Sequence, residues 1–131
     1  MNQSEHDYFA KEIVDCAYHV HRELGPGLLE SVYEVCMCKE LLERQISFDR
    51  QLHLPVNYKG QELNADFRID LLINENIIVE LKAVETILPV HHAQILTYLK
   101  LADKRLGILI NFNLPTIKKG IKRFINGYFT Q

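Results

Sequence analysis

IDLLINENIIVELK, residues 69–82, is an aliphatic hairpin by pattern: two runs rich in Ile, Leu and Val flank the turn signal Asn74-Glu75-Asn76. A hairpin made only for a protein interior would not carry Asp70, Glu80 and Lys82. If the turn centres on Glu75, Asp70 lies directly across from Glu80, and Arg68 across from Lys82. Residues two apart on a strand share a face, so all four side chains point the same way. Two like charges on directly opposed side chains, about 5 Å apart at Cβ, repel by about 3 kcal/mol at an effective dielectric near 20. Three remedies are open. One carboxylate keeps its proton, Arg68 and Lys82 neutralise the pair, or a cation binds between the two. The plain alternative is a solvated charged face on an edge hairpin, and a slip of one residue in the turn would separate the carboxylates.

Working outward, SFDRQLHLPVNY and QELNADFRIDLLI read as two strands joined at Lys59-Gly60, with Pro55 marking an edge or a bulge. With Ile77 to Val84 as the third, they form an antiparallel meander. Ahead of it, Ser4 and Asp7 resemble an N-cap, and Ile13, Cys16/Ala17, Val20 and Leu24 recur at helical spacing over about 5–24. Gly25-Pro26-Gly27 ends that run. A second helix is expected from Leu28 to about Arg44. It turns Val32, Val35/Cys36, Cys38 and Leu41/Leu42 inward and Glu34, Lys39, Glu40, Glu43 and Arg44 towards water.

After the hairpin, Pro89 suits the first turn of a helix whose broad apolar face carries Ile95, Leu96, Leu99 and Ala102. RLGILINF then reads as a buried strand reached by a helical crossover. The tail fits either a helix or a strand; a strand at about 120–126 is preferred. The fold class is α/β (α+β), a mixed central sheet flanked by helices in the order α-α-β-β-β-α-β-(β).

At 131 residues, with 47% hydrophobic and 24% charged side chains, the chain suits one globular domain, 1–131. No run approaches the ~20 apolar residues of a membrane helix, and MNQSEHDYF lacks a signal-peptide pattern. A cytoplasmic protein with no membrane partner is expected. The net charge of -2 is segregated: residues 1–99 hold 8 Lys/Arg against 16 Asp/Glu, and 100–131 hold 7 against 1. Lys118, Lys119, Lys122 and Arg123 are therefore candidate contacts to backbone phosphates, or an ordinary solvated surface.

Other constellations are weaker. Cys16, Cys36 and Cys38 lack metal-finger spacing and read as free thiols. His91 and His92 diverge by about 100° on a helix, so a helix N-terminal or surface role suits them better than joint ligation. No Ser-His-Asp order or Cys-base pair supports acyl or thiol chemistry. Gln94 and Tyr98, four apart on one helix, share a face, as do Glu30 and Tyr33, three apart.

Taken together, these residues resemble a known pattern. Asp70, then Glu80-Leu81-Lys82, then Gln94-x-x-x-Tyr98 resemble the PD-(D/E)XK nuclease superfamily, in its exonuclease-like branch with a glutamate on an early helix. Gly27-Leu28-Leu29-Glu30-Ser31-Val32-Tyr33 is similar to the signature of the GxxExxY proteins of that superfamily. The resemblance covers about residues 8–127, with Ile69 standing where the superfamily name has Pro. It implies a restriction-endonuclease-like core in which Asp70, Glu80 and the Leu81 carbonyl hold Mg²⁺ or Mn²⁺. Lys82 is then the catalytic lysine, Glu30 approaches the metal from the helix, and Gln94 and Tyr98 line the site. The four-cysteine set of cluster-binding relatives is absent, so no iron–sulfur cluster is expected.

The function expected is Mg²⁺-dependent hydrolysis of DNA phosphodiester bonds. A non-catalytic accessory domain that binds nucleic acid or protein is the alternative. The small size leaves substrate choice to self-association into a homo-oligomer or to a protein partner.

Overall fold

The computed structural model describes residues 1–63 and 67–129. Helix α1 (Gln3–Leu24) starts earlier than Ser4 would place it, because Asn2 is the cap. Its side chain accepts the Glu5 N–H at 2.9 Å while the Glu5 carboxylate accepts the Asn2 N–H at 3.3 Å, a reciprocal box that satisfies two free amides. Gly25 and Gly27, at φ +67° and +98°, turn the chain into α2 (Glu30–Glu43).

The expected meander divides into four strands: β1 (Phe48–His53), β2 (Val56–Tyr58), β3 (Gln61–Leu63) and β4 (Arg68–Ile73). Pro55 falls in the break between β1 and β2; positions 64–66 of the expected second strand lie outside the described residues. Among the described residues β2 and β3 form a separate two-stranded sheet across Lys59 and Gly60, both at positive φ. Strand β5 (Ile77–Lys82), α3 (Pro89–Ala102), β6 (Leu106–Asn111) and β7 (Ile121–Ile125) complete the chain, with a 3₁₀ turn at Ile117–Gly120. The tail is a strand because Ile121 to Ile125 pair antiparallel with Ile110 to Leu106.

The five-stranded sheet has the order β1-β4-β5-β6-β7, antiparallel except for β5 and β6, which are parallel and joined by α3. This mixed sheet flanked by helices is the expected architecture. One face packs Ile13, Cys16, Ala17 and Val20 of α1 and Tyr33, Met37 and Leu41 of α2 against Leu71, Ile73, Ile77, Val79, Leu81, Leu106, Ile108 and Ile110. The other packs Ile95 and Leu99 of α3 against Ile69, Leu72, Ile78, Leu109 and Phe124. Alternation along β5 therefore turns Glu80 and Lys82 towards the α3 side, with Ile78.

Helix α2 is rotated from the expected phase. Val32, Val35 and Leu42 are exposed, whereas Tyr33, Glu34, Met37, Cys38 and Leu41 are buried. Tyr33 anchors this phase. Its ring stacks on Phe112 at 4.4 Å, and its hydroxyl donates to Gly25 O at 2.6 Å and accepts Leu28 N–H at 3.2 Å. Leu24, expected inward, is 37% exposed at the end of α1.

The two edge-side strands also change face along their length. Phe48 and its partner Ile73 pack on the α1/α2 side, whereas Leu52 and its partner Ile69 pack on the α3 side. Strict alternation would keep Phe48 and Leu52 together. The switch coincides with Gln51, whose φ of +52° is rare for a non-glycine residue.

Candidate active site

The β4–β5 hairpin has the register expected from a turn centred on Glu75: Leu71 pairs with Val79, Leu72 with Ile78 and Ile73 with Ile77. Asn74 and Glu75 both take positive φ, and Asn76 N–H closes the turn on Ile73 O at 2.9 Å. The next position along carries Asp70 and Glu80, and there a side chain replaces the backbone ladder. Asp70 Oδ2 accepts the Leu81 N–H at 2.9 Å. The carboxylate is thus held by β5 while its own strand turns at the face switch.

Asp70, Glu80, Lys82 and Arg68 line one cavity of about 310 Å³ with Gln94 and Tyr98 of α3. Gln94 and Tyr98 are coupled by a 3.0 Å hydrogen bond from the Gln94 amide to the Tyr98 hydroxyl, and Phe67 packs on the Tyr98 ring at 4.6 Å. The cavity sits at the carboxyl end of β5, where the parallel pair and the crossover helix open a crevice.

Glu80 is the unusual group in it. The residue is 4% exposed, and Oε1 has no hydrogen-bond partner among the described residues. Burial, reinforced by the charge of Asp70, pushes its carboxyl up to about 10, against the opposing effect of Lys82. A buried acceptor without a donor is destabilising unless something else compensates it. A divalent cation would do so, and a hard cation suits this oxygen set. Among the described residues no three His, Cys, Asp or Glu side chains converge. Two carboxylates with backbone oxygen and water fit Mg²⁺, which takes one or two carboxylates and retains waters.

Glu30 is exposed in the first turn of α2 and does not line the cavity. The helix carboxylate connected to it is Glu34, one turn further on and 7% exposed. Arg50 Nε donates to Glu34 Oε2 at 2.6 Å, and the Gln51 amide donates to Glu34 Oε1. The same Gln51 nitrogen lies 3.4 Å from Asp70 Oδ1. Sequence reasoning placed Glu34 in water and gave Gln51 no role. No local signal separates Glu34 from the solvated carboxylates of α2; its burial follows from Arg50 and Gln51.

The basic tail divides. Lys118 and Lys119 are exposed in the 3₁₀ turn, and Lys122 and Arg123 leave β7 on opposite faces. Arg123 turns to α1 and pairs with Asp7 at 3.1 Å. Lys119 and Lys122 instead border a second cavity, about 260 Å³, with Glu85, Thr86, His92 and Asn111 on the α3 side. His91 Nδ1 accepts Leu88 N–H at 2.9 Å and His92 packs on Phe124, so the two histidines stay apart. Cys16 and Cys38 are buried and Cys36 is half-buried, all as free thiols; burial pushes the Cys16 thiol up to about 11. Among the described residues no helix is long and apolar enough to cross a membrane.

The family model of the PD-(D/E)XK nuclease superfamily matches residues 7–124, and the chain belongs to that superfamily. Among solved structures, the crystal structure of SSO0001 is similar, with a TM-score of 0.50 and 21% identity; the match covers 77% of this chain and 52% of that one. This likeness is one of fold, and the chain spans about half the length of SSO0001. No curated protein matches the chain.

Proposed function

We propose that this PD-(D/E)XK chain, of the GxxExxY kind, is a Mg²⁺- or Mn²⁺-dependent nuclease that hydrolyses DNA phosphodiester bonds. Asp70, Glu80 and the Leu81 carbonyl would hold the ion. The observation that carries the reading is the buried, unpartnered Glu80 Oε1 beside Asp70 in a cavity also lined by Lys82. When bound, the divalent ion supplies charge stabilisation to a phosphate oxygen and lowers the pKa of an attacking water.

The chain's own residues do the rest. Lys82 follows Glu80 on the same face of β5, so its ammonium orients the attacking water or stabilises negative charge as the phosphorane forms. Arg68, on the same wall, contributes a second cation towards the phosphate. Gln94 and Tyr98, locked by their mutual hydrogen bond, present amide and phenol groups that fix the substrate's approach. Lys119 and Lys122, on the α3 side of the sheet, extend the phosphate-binding surface.

Purified protein incubated with linear and circular DNA, single- and double-stranded, should cleave at least one of them with Mg²⁺ or Mn²⁺. It should lose that activity with EDTA and in Asp70→Asn and Lys82→Ala. Cleavage that persists equally in both variants overturns the mechanism. Metal-dependent DNA binding without cleavage by the wild type would assign the chain to the accessory role instead.

A further inference from the structure

A polar bridge between α2 and the cavity runs through a residue with a costly backbone. Gln51 lies on the edge strand β1 between Arg50 and Leu52, which pair with Leu71 and Ile69, so it stands opposite Asp70. Its φ of +52° belongs to the left-handed region, where a non-β-branched, non-glycine residue is strained by about 1–2 kcal/mol. A simple edge strand would not need that conformation. Here it does two things at once. It rotates β1 so that Phe48 and Leu52 pack on opposite faces of the sheet, and it aims the Gln51 amide between two carboxylates.

Both acceptors are carboxylates, so the amide must present its NH₂ group to them; the carbonyl oxygen in that place would meet two anions. Glu34 Oε1 fixes the amide from one side, and Arg50 neutralises Glu34 from the other. The amide then points at Asp70 Oδ1, while Leu81 N–H holds Asp70 Oδ2. Asp70 Oδ2 thus has the Leu81 N–H as donor and Oδ1 the more distant Gln51 amide, and the side chain also hydrogen-bonds Glu80, a contact that a cation between the two carboxylates would replace. Among the described residues Asp70 forms no salt bridge, as a carboxylate that must remain available to an exchangeable ion requires.

We propose that Gln51 is a positioning residue: braced by Glu34 and Arg50, it orients the Asp70 carboxylate for the divalent cation. This rests on the reading of Asp70 as a metal ligand. Outer contacts of this type change metal affinity by 10–100-fold when removed. They act through ligand geometry, so the bound ion's environment changes with them.

The test is Mn²⁺ binding to the full chain, followed by calorimetry and by the electron paramagnetic resonance spectrum of the bound ion. Gln51→Gly keeps the left-handed backbone without strain and removes the amide. Gln51→Asn also tolerates that backbone, but its amide is one methylene too short to span Glu34 and Asp70. Both variants should bind Mn²⁺ about tenfold or more weakly, with an altered spectrum, while each still unfolds cooperatively in urea. Wild-type affinity and spectrum in either folded variant, with Asp70→Asn unable to bind, overturns the role of Gln51 and leaves the metal site standing. Failure of the wild type to bind Mn²⁺ at millimolar concentration overturns the site and, with it, this inference.

Discussion

The Asp70 carboxylate takes the Leu81 N–H at 2.9 Å, one position beyond the last backbone pair of the β4–β5 hairpin, Leu71–Val79. A side chain therefore takes over where the backbone ladder of the hairpin ends. That exchange brings Asp70 beside Glu80 and turns the end of a hairpin into the wall of a polar cavity lined by both carboxylates, Arg68 and Lys82.

Asp70 and Lys82 should be separable by experiment. Asp70→Asn removes a charge from the proposed ion site, so metal binding and cleavage should both disappear. Lys82→Ala should retain metal binding and lose about a hundredfold to a thousandfold in turnover, the range for removing one group that stabilises transition-state charge. Calorimetry with Mn²⁺ beside single-turnover cleavage checks both.

Glu80 sets a pH dependence with a definite sign. Its carboxyl is raised from 4.5 to about 10 in the metal-free fold, foremost by burial. Between those values the unfolded chain has released this proton and the folded chain has kept it, so the metal-free protein loses stability as pH rises from about 4.5 towards 10. Urea unfolding in EDTA should show a lower midpoint at pH 8.5 than at pH 6. In Glu80→Gln that part of the slope should vanish. Metal uptake by the wild type should release a proton, seen as a calorimetric heat that scales with the buffer's ionisation enthalpy.

The division of the basic tail predicts unequal effects on DNA binding. Lys119→Ala and Lys122→Ala should each weaken binding and reduce the slope of log K against log salt by about 1. Arg123→Ala should leave that slope unchanged, because Arg123 faces α1 and pairs with Asp7. Fluorescence anisotropy with labelled DNA over a salt series, in Ca²⁺ to prevent cleavage, reads all three.

Tyr33 should matter to stability through its hydroxyl as well as its ring. Tyr33→Phe keeps the stack on Phe112 but leaves Gly25 O and Leu28 N–H without this partner, which costs about 1–3 kcal/mol. Tyr33→Ala also opens a cavity, for about 3–5 kcal/mol. Equilibrium urea denaturation of the two variants orders them, and a wild-type midpoint in Tyr33→Phe would show that the hydroxyl contributes nothing.

The hairpin was legible because two local signals agree: strand alternation and a turn centred on Glu75 set one register, and the opposed carboxylates follow from it. The crossover pair was legible for a similar reason, since Ile77–Lys82, the α3 pattern and Leu106–Asn111 make one βαβ unit. Helix α2 was not. Val32, Val35 and Leu42 offer an apolar stripe as plausible as Tyr33, Met37 and Leu41, and local pattern cannot choose between two stripes on one helix. The start of α1 was missed by two residues because Asn2 and Ser4 are both good caps, and only the chain's geometry selects one.

Local pattern was enough for the alternation of helices and strands, the β4–β5 register and the placing of Asp70, Glu80 and Lys82 on one sheet face, all consequences of periods of two and 3.6 residues and of turn chemistry, though not for the division of the first strands into β1 to β4. Which helix carboxylate is linked to the cavity wall, through Gln51 to Asp70, was settled by tertiary contacts. Glu34 is buried because Arg50 and Gln51, distant in sequence, bring it a charge and an amide donor, and Gln51 reaches it only in a backbone conformation that the β1–β4 packing holds in place. A buried carboxylate depends on partners that local pattern does not contain, and desolvation without them would have kept Glu34 in water.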